Sequence, residues 1–212
     1  MTDGTVFIVD DEEPIRDSIA LLMRSVGLPS QGYADAQSFL AAYRPEEIGC
    51  LVLDVRMPRM SGLELQQELN RRGWTLPVII VTGHGDVRMA VEAMREGALD
   101  FLQKPFNDDE LIRRVQKALE HDARHRQQSS DREGLLQRLA SLTPREREVA
   151  QRIVAGQANK VIALDLQLSE RTVELHRARV MQKMAARGVA QLVQLWVLLD
   201  SDAESSPGRS PP

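Results

Sequence analysis

Three carboxylates, a hydroxyl and an ammonium stand at the ends of short apolar runs in the first half of this 212-residue chain. Asp10 and Asp11 follow residues 6–9, Asp54 follows residues 50–53, Thr82 follows residues 78–81, and Lys104 follows the weaker run 100–102. A carboxylate ending an otherwise apolar segment is costly unless something compensates it. Three of them close together repel one another and need a cation at neutral pH. Oxygen donors with little nitrogen or sulfur suit Mg²⁺, which takes one or two carboxylates and keeps several waters. Metal, ammonium and hydroxyl around one carboxylate describe a site for phosphoryl transfer. There a protein mainly positions groups and offsets charge on the phosphoryl oxygens.

The elements that must position these groups are legible in the same stretch. Continuously apolar strands are usually buried on both faces, as in a parallel sheet. A fifth, short strand is expected near residues 31–33. Helix starts fall between the strands. Pro14 suits the first turn of a helix running to about residue 26, and Asp35 can cap a short helix through residue 42. Ser61 and Glu64 have capping-box spacing, as do Asn107 and Glu110. Asp86 can cap a helix whose apolar stripe is Val87, Ala90, Val91 and Met94. Five strand-then-helix units make an open α/β domain, and in such sheets functional residues gather at the carboxyl ends of the strands.

Charge divides the chain. Residues 1–120 hold 13 Lys and Arg against 20 Asp and Glu, a net of −7, whereas residues 121–200 hold 13 against 9, a net of +4. That split predicts two domains with different partners, the acidic one suited to metal and the basic one to nucleic acid. The stretch "HDARHRQQSSDREG", residues 121–134, is polar and reads as a linker into which the preceding helix partly runs. The expected organisation is a domain over 1–120, a partly helical linker over 121–137, an all-helical domain over 138–200 and a disordered tail over 201–212. Cys50, the single cysteine, reads as a packing residue, and a chain without internal disulfides fits a reducing compartment. The first residues lack the basic-then-apolar pattern of a signal peptide, and no run approaches the roughly 20 apolar residues needed to span a bilayer. The expected location is cytoplasmic, with no membrane partner.

"VFIVDDEEPIRDSI", "LVLDVRMPRMSGLEL", "VIIVTGHGD" and "DFLQKPF" resemble the signature segments of the response-regulator receiver domain, in order and at strand ends. The resemblance implies a flavodoxin-like, doubly wound five-stranded parallel sheet. It implies that Asp54 takes a phosphoryl group from the histidine of a sensor kinase. Asp10, Asp11, Asp54 and the backbone carbonyl of Arg56 would hold Mg²⁺. Lys104 would pair with the phosphoryl oxygens, and the Lys104–Pro105 bond would be cis. Thr82 would hydrogen-bond the phosphoryl group, and Phe101 would rotate inward behind it. The family often has Tyr where this chain has Phe101, so switching there would rest on packing. His84, at the rim of the site, reads either as a residue tuning acyl-phosphate lifetime or as an exposed loop histidine.

In the basic half, Thr143, Pro144 and Glu146 open a helix by cap, first-turn proline and capping box, and Gly156 is placed to end it. A short helix over about 160–166, a turn at Gln167 and Leu168, and a Ser169-capped helix over about 170–185 give helix-turn-helix spacing. "LTPREREV", "NKVIALDL" and "SERTVELHRARVMQKM" resemble the NarL/LuxR-type DNA-binding domain, a four-helix module, and the FixJ branch joins the same two parts. By that resemblance Glu174, Leu175 and Ala178 would face base edges. Lys160, Arg171, Thr172, Arg179 and Lys183 would contact phosphates. A last helix over about 190–199, with Leu192, Leu195, Trp196 and Leu199, would be a dimer face. The implied protein is a regulator rather than an enzyme, catalysing only its own phosphorylation and dephosphorylation. Its partners would be a sensor histidine kinase, double-stranded promoter DNA, RNA polymerase and, on phosphorylation, a second copy of itself; the alternative coupling is release of an autoinhibitory contact across residues 121–142. It would activate transcription. The alternative is a receiver whose helical output binds a protein.

Overall fold

The computed structural model describes residues 4–83 and 87–200, so His84, Asp86 and the tail 201–212 lie outside the described residues. The chain divides into two compact units, Met1–Arg126 and Gln127–Pro212.

In the first unit, five parallel strands lie in the order β2-β1-β3-β4-β5. They are β1 (Thr5–Val9), β2 (Ser30–Tyr33), β3 (Gly49–Leu53), β4 (Val78–Thr82) and β5 (Asp100–Gln103), separated by α1 (Glu13–Ser25), α2 (Ala36–Ala42), α3 (Gly62–Arg71) and α4 (Val87–Arg95). This is the doubly wound order, with its switch point where β1 is flanked by β2 and β3. Every residue of β3 and β4 is buried. Strand side chains alternate between two cores. Phe7, Val9, Leu51, Leu53 and Ile80 pack with Phe39, Leu65 and Leu69 on one face. Ile8, Cys50, Val52, Ile79 and Val81 pack with Ile19, Met23, Leu111 and Val115 on the other. β2 pairs with β1 alone and is half exposed, which is why its sequence is only weakly apolar.

The caps hold the loops around the strand ends. Asp35 accepts the Ser38 N–H, and Ser61 with Glu64 forms a complete capping box. The box expected at Asn107 and Glu110 does not form. Asn107 accepts instead from the Asp109 N–H at 2.9 Å, and the Glu110 carboxylate turns to Arg114, one helical turn on, at 2.5 Å. A charged partner at i+4 outcompetes the backbone amide.

α5 (Asp108–Ala140) is 33 residues long and helical throughout the stretch read as a linker. No proline interrupts it, and its Arg, Gln, Ala and Leu content favours helix. The boundary between the two compact units falls inside it. The second unit adds α6 (Pro144–Val154), α7 (Asn159–Leu166), α8 (Glu170–Lys183) and α9 (Val189–Asp200). Its core is built from Val149, Ile153, Ile162, Val173, Val180, Met184 and Leu192, and it takes in Leu135 from α5. The Thr143–Glu146 capping box starts α6. Gln167 adopts the left-handed conformation at φ 54° to close α7, and Ser169 caps α8 through the Thr172 N–H. Among the described residues no helix is long and apolar enough to cross a membrane.

Candidate functional site

The carboxyl ends of β1, β3 and β5 bring Asp10, Asp54 and Lys104 together. The Asp54 N–H donates to the Val9 carbonyl at 2.9 Å, which extends the sheet pairing up to the carboxylate itself. Asp10 is 3% exposed and Asp54 7%. Lys104 Nζ donates to Asp10 Oδ2 at 2.7 Å and to Asp54 Oδ1 at 3.1 Å. The Arg56 N–H donates to Asp54 Oδ2 at 2.6 Å, and the Glu12 N–H to Asp10 Oδ1 at 2.9 Å. Arg16 Nη1 holds the Asp10 carbonyl at 2.8 Å. Thr82, buried at the end of β4, accepts the Lys104 N–H through its carbonyl at 3.0 Å. The Lys104–Pro105 peptide is cis. Phe101 is half-buried against the core that contains Leu53 and Val55.

Burial raises the Asp54 carboxyl above its ordinary value, and the Asp10 charge pushes the same way against Lys104 and the Arg56 amide. For Lys104, burial opposes the charged form, but bonds and charges from Asp10 and Asp54 outweigh it and the ammonium is strengthened. Two buried carboxyl groups thus share one ammonium. Asp11 is exposed, and among the described residues no three His, Cys, Asp or Glu side chains gather as a metal cluster. Lys104 spans the two buried carboxyl groups. Carboxyl oxygens gathered at the strand ends suit Mg²⁺, which takes one or two carboxylates and fills its remaining positions with water.

Sequence reasoning passed over Gly62. Its N–H donates to the Val55 carbonyl at 2.9 Å, and a Cβ there would overlap the Asp54 carbonyl oxygen. The first turn of α3 can lie against the end of β3 only because this residue has no side chain. A glycine just inside a strongly capped helix, where glycine is disfavoured, was the available signal.

In the second unit, α8 buries Val173 and Val180 and exposes Arg171, Glu174, Leu175, Ala178 and Arg179 along its outer side. Lys160 is exposed on α7. Thr172 is half-buried, with its hydroxyl 2.7 Å from Ser169 Oγ. Lys183 departs from expectation. Its ammonium donates to Glu146 Oε2 at 2.6 Å and to the Ser141 carbonyl at 3.0 Å. Glu146 is 2% exposed, so Lys183 is committed to a buried carboxylate instead of pointing out toward phosphate. The Lys183 ammonium, followed by the Thr143 N–H, draws the Glu146 carboxyl from its ordinary 4.5 to about 2.

Residues 6–116 match the family model described as response regulator receiver domain, and residues 140–196 the one described as bacterial regulatory proteins, luxR family. The chain belongs to the response regulators that join a receiver to a luxR-family DNA-binding domain, and it is a regulator of transcription. Within that class it falls in the FixJ branch. It is 48% identical over 193 residues to transcriptional regulatory protein FixJ of Azorhizobium caulinodans, covering 91% of this chain and 92% of that one. It is 37% identical over 201 residues to response regulator protein TodT of Pseudomonas putida, covering 95% and 88%. Among solved structures, the response regulator StyR aligns with a TM-score of 0.86 at 42% identity, covering 92% of this chain and 98% of that one. Full-length FixJ from B. japonicum aligns at 0.59 and 41% identity, covering 93% and 98%. The luxR-family match favours DNA over the protein-binding alternative for the output.

Proposed function

We propose that Asp54 accepts a phosphoryl group from the phosphohistidine of a sensor kinase, and that this switches the affinity of the helical domain for promoter DNA. The observation that carries this reading is a buried carboxylate at the end of β3 with the Lys104 ammonium 3.1 Å from one of its oxygens. One Asp54 carboxylate oxygen attacks phosphorus. The P–N bond breaks as the P–O bond forms, and the imidazole leaves as it gains a proton. Lys104 neutralises the phosphoryl oxygens, the Thr82 hydroxyl donates to one of them, and Phe101 packs inward behind it. Mg²⁺, bound by Asp10, Asp11, Asp54 and the Arg56 carbonyl, would supply further charge on those oxygens. In this reading residues 1–120 form the receiver and 138–200 the DNA-binding domain, and the protein works in the cytoplasm as an activator that contacts RNA polymerase. Phosphorylation dimerises it and sets two output domains on paired half-sites.

Intact mass after incubation with acetyl phosphate and Mg²⁺ tests the switch. One added phosphoryl group is expected, absent in Asp54→Asn and absent without metal, with a doubled sedimenting mass for the phosphorylated protein. No adduct, together with no binding of the stable mimic beryllofluoride, would overturn the reading.

The DNA interface is Lys160, Arg171, Thr172, Glu174, Leu175, Ala178 and Arg179. Arg179→Ala is expected to weaken binding to all sequences alike and to lower the slope of log affinity against log salt by about 1. Electrophoretic shifts over a salt series measure this, and an unchanged slope would remove Arg179 from the phosphate contacts.

A further inference from the structure

Asp122 lies beyond the receiver match at residues 6–116, in the stretch that reads as a linker, yet none of it is exposed. Its Oδ2 accepts from the Gly49 N–H at 2.9 Å and from Arg126 Nε at 2.7 Å. Arg126 Nη1 donates to the Pro45 carbonyl at 2.5 Å. Gly49 opens β3, the strand whose other end carries Asp54. A Cβ on Gly49 would lie 2.6 Å from the Phe7 ring and 2.6 Å from the Thr5 carbonyl. α5 therefore grips β3 where its backbone is pressed against β1. The grip is lopsided. Asp122 Oδ2 makes two bonds, while Oδ1 is buried and has no hydrogen-bond partner among the described residues.

A buried carboxylate stabilises a fold only when its pairing is good and its remaining lone pairs are met. An oxygen left without a partner takes away from what the Gly49 and Arg126 contacts contribute. We propose that Asp122 and Arg126 form a latch that fixes the continuation of α5 to β3 in the unphosphorylated protein and opens when Asp54 is phosphorylated. This rests on the reading of Asp54 as the phosphoacceptor. β3 is the shared element: a shift of the strand at Asp54 changes the position of the Gly49 amide that Asp122 must meet. Both residues act through the strand and are positioning residues. Linkage makes the effect reciprocal, so whatever opens the latch favours the phosphorylated form by the same factor.

The test is hydrogen–deuterium exchange on the full chain, read at the Gly49 amide and over residues 121–126, with and without beryllofluoride and Mg²⁺. Fluorine NMR reports occupancy of the site. Exchange at Gly49 is expected to rise about fivefold or more on beryllofluoride binding, and to stay unchanged in Asp54→Asn. The double variant Asp122→Asn/Arg126→Met removes both charges together, so neither is left buried alone, and Arg126→Gln is a milder form. Each is expected to bind beryllofluoride more tightly by a similar factor. A static staple would give bound beryllofluoride with unchanged or slower exchange at Gly49, or unchanged affinity in both variants, and either result overturns the latch. Absence of a bound fluorine signal would instead overturn Asp54 as acceptor, and the proposed dependence with it.

Discussion

Gly62→Ala is expected to destabilise the receiver by about 3 kcal/mol and to abolish the phosphorylation proposed for Asp54, although residue 62 has no side chain to contribute to the chemistry. Overpacking a close-packed site costs about 1–3 kcal/mol, with the upper end expected where the neighbour cannot rotate away. The added methyl would overlap the Asp54 carbonyl oxygen and crowd the Val55 backbone, and neither has a rotamer to change. Relief requires the start of α3 to lift from the end of β3. That moves the Arg56 amide now bonded to the Asp54 carboxylate at 2.6 Å, so stability and reactivity fall together. Gly134→Ala is the control. It lies inside α5 with open space around its Cβ position, and it should gain about 0.5–1 kcal/mol from helix propensity. Chemical denaturation and intact mass after acetyl phosphate measure both variants. A Gly62→Ala protein that unfolds at the native midpoint and phosphorylates normally would show that the loop yields without cost.

Lys183→Met is expected to cost the second unit about 3 kcal/mol at neutral pH, and to leave the salt dependence of DNA binding unchanged once folding is restored. Removing the partially exposed ammonium leaves the buried Glu146 carboxylate without its charged partner. Glu146 would keep only the Thr143 cap. A phosphate-contacting lysine would behave differently, lowering the salt slope by about 1 with little effect on stability. The double variant Lys183→Met/Glu146→Gln should recover much of the loss. The pH dependence has a definite sign. Glu146 is depressed in the folded state, so its contribution is present above its ordinary value of 4.5 and is lost as pH falls toward about 2. The native second unit should therefore lose on the order of 2 kcal/mol across that window. Lys183→Met should lose far less, because the main cause of the depression is gone. Equal acid sensitivity in the two proteins would mean that the Thr143 cap, and not Lys183, holds the carboxylate.

The residues that were legible in the sequence share a property: their type contradicts their surroundings. An aspartate ending "LVL" or a lysine ending a strand stands out because burial of charge needs a reason, and the parallel-sheet pattern tells where the reason lies. Caps are similarly local, so Asp35, Ser61, Thr143 and Ser169 could be read within four residues. What escaped was non-local or depended on the absence of a side chain. Lys183 looked like one more surface cation on a basic helix because its partner lies 37 residues away. Asp122 looked like part of a solvated linker because its partner is the backbone of Gly49, 73 residues distant. Gly62 carries no chemistry to notice. Asn107 and Glu110 had correct capping spacing, but spacing does not reveal that Arg114 competes.

Cys50 gives the molecule an internal clock for opening. It is the only cysteine in the chain, and it sits wholly buried in β3, one residue from the Asp122 grip. Burial, with the Asp122 charge adding to it, pushes the thiol far above its ordinary value. A maleimide or iodoacetamide therefore finds nothing to react with until the receiver sheet comes apart. The time course of alkylation then counts openings of the receiver alone, whatever the helical domain is doing. An added surface cysteine can be labelled selectively in the intact native protein, without first removing the residue nature placed there.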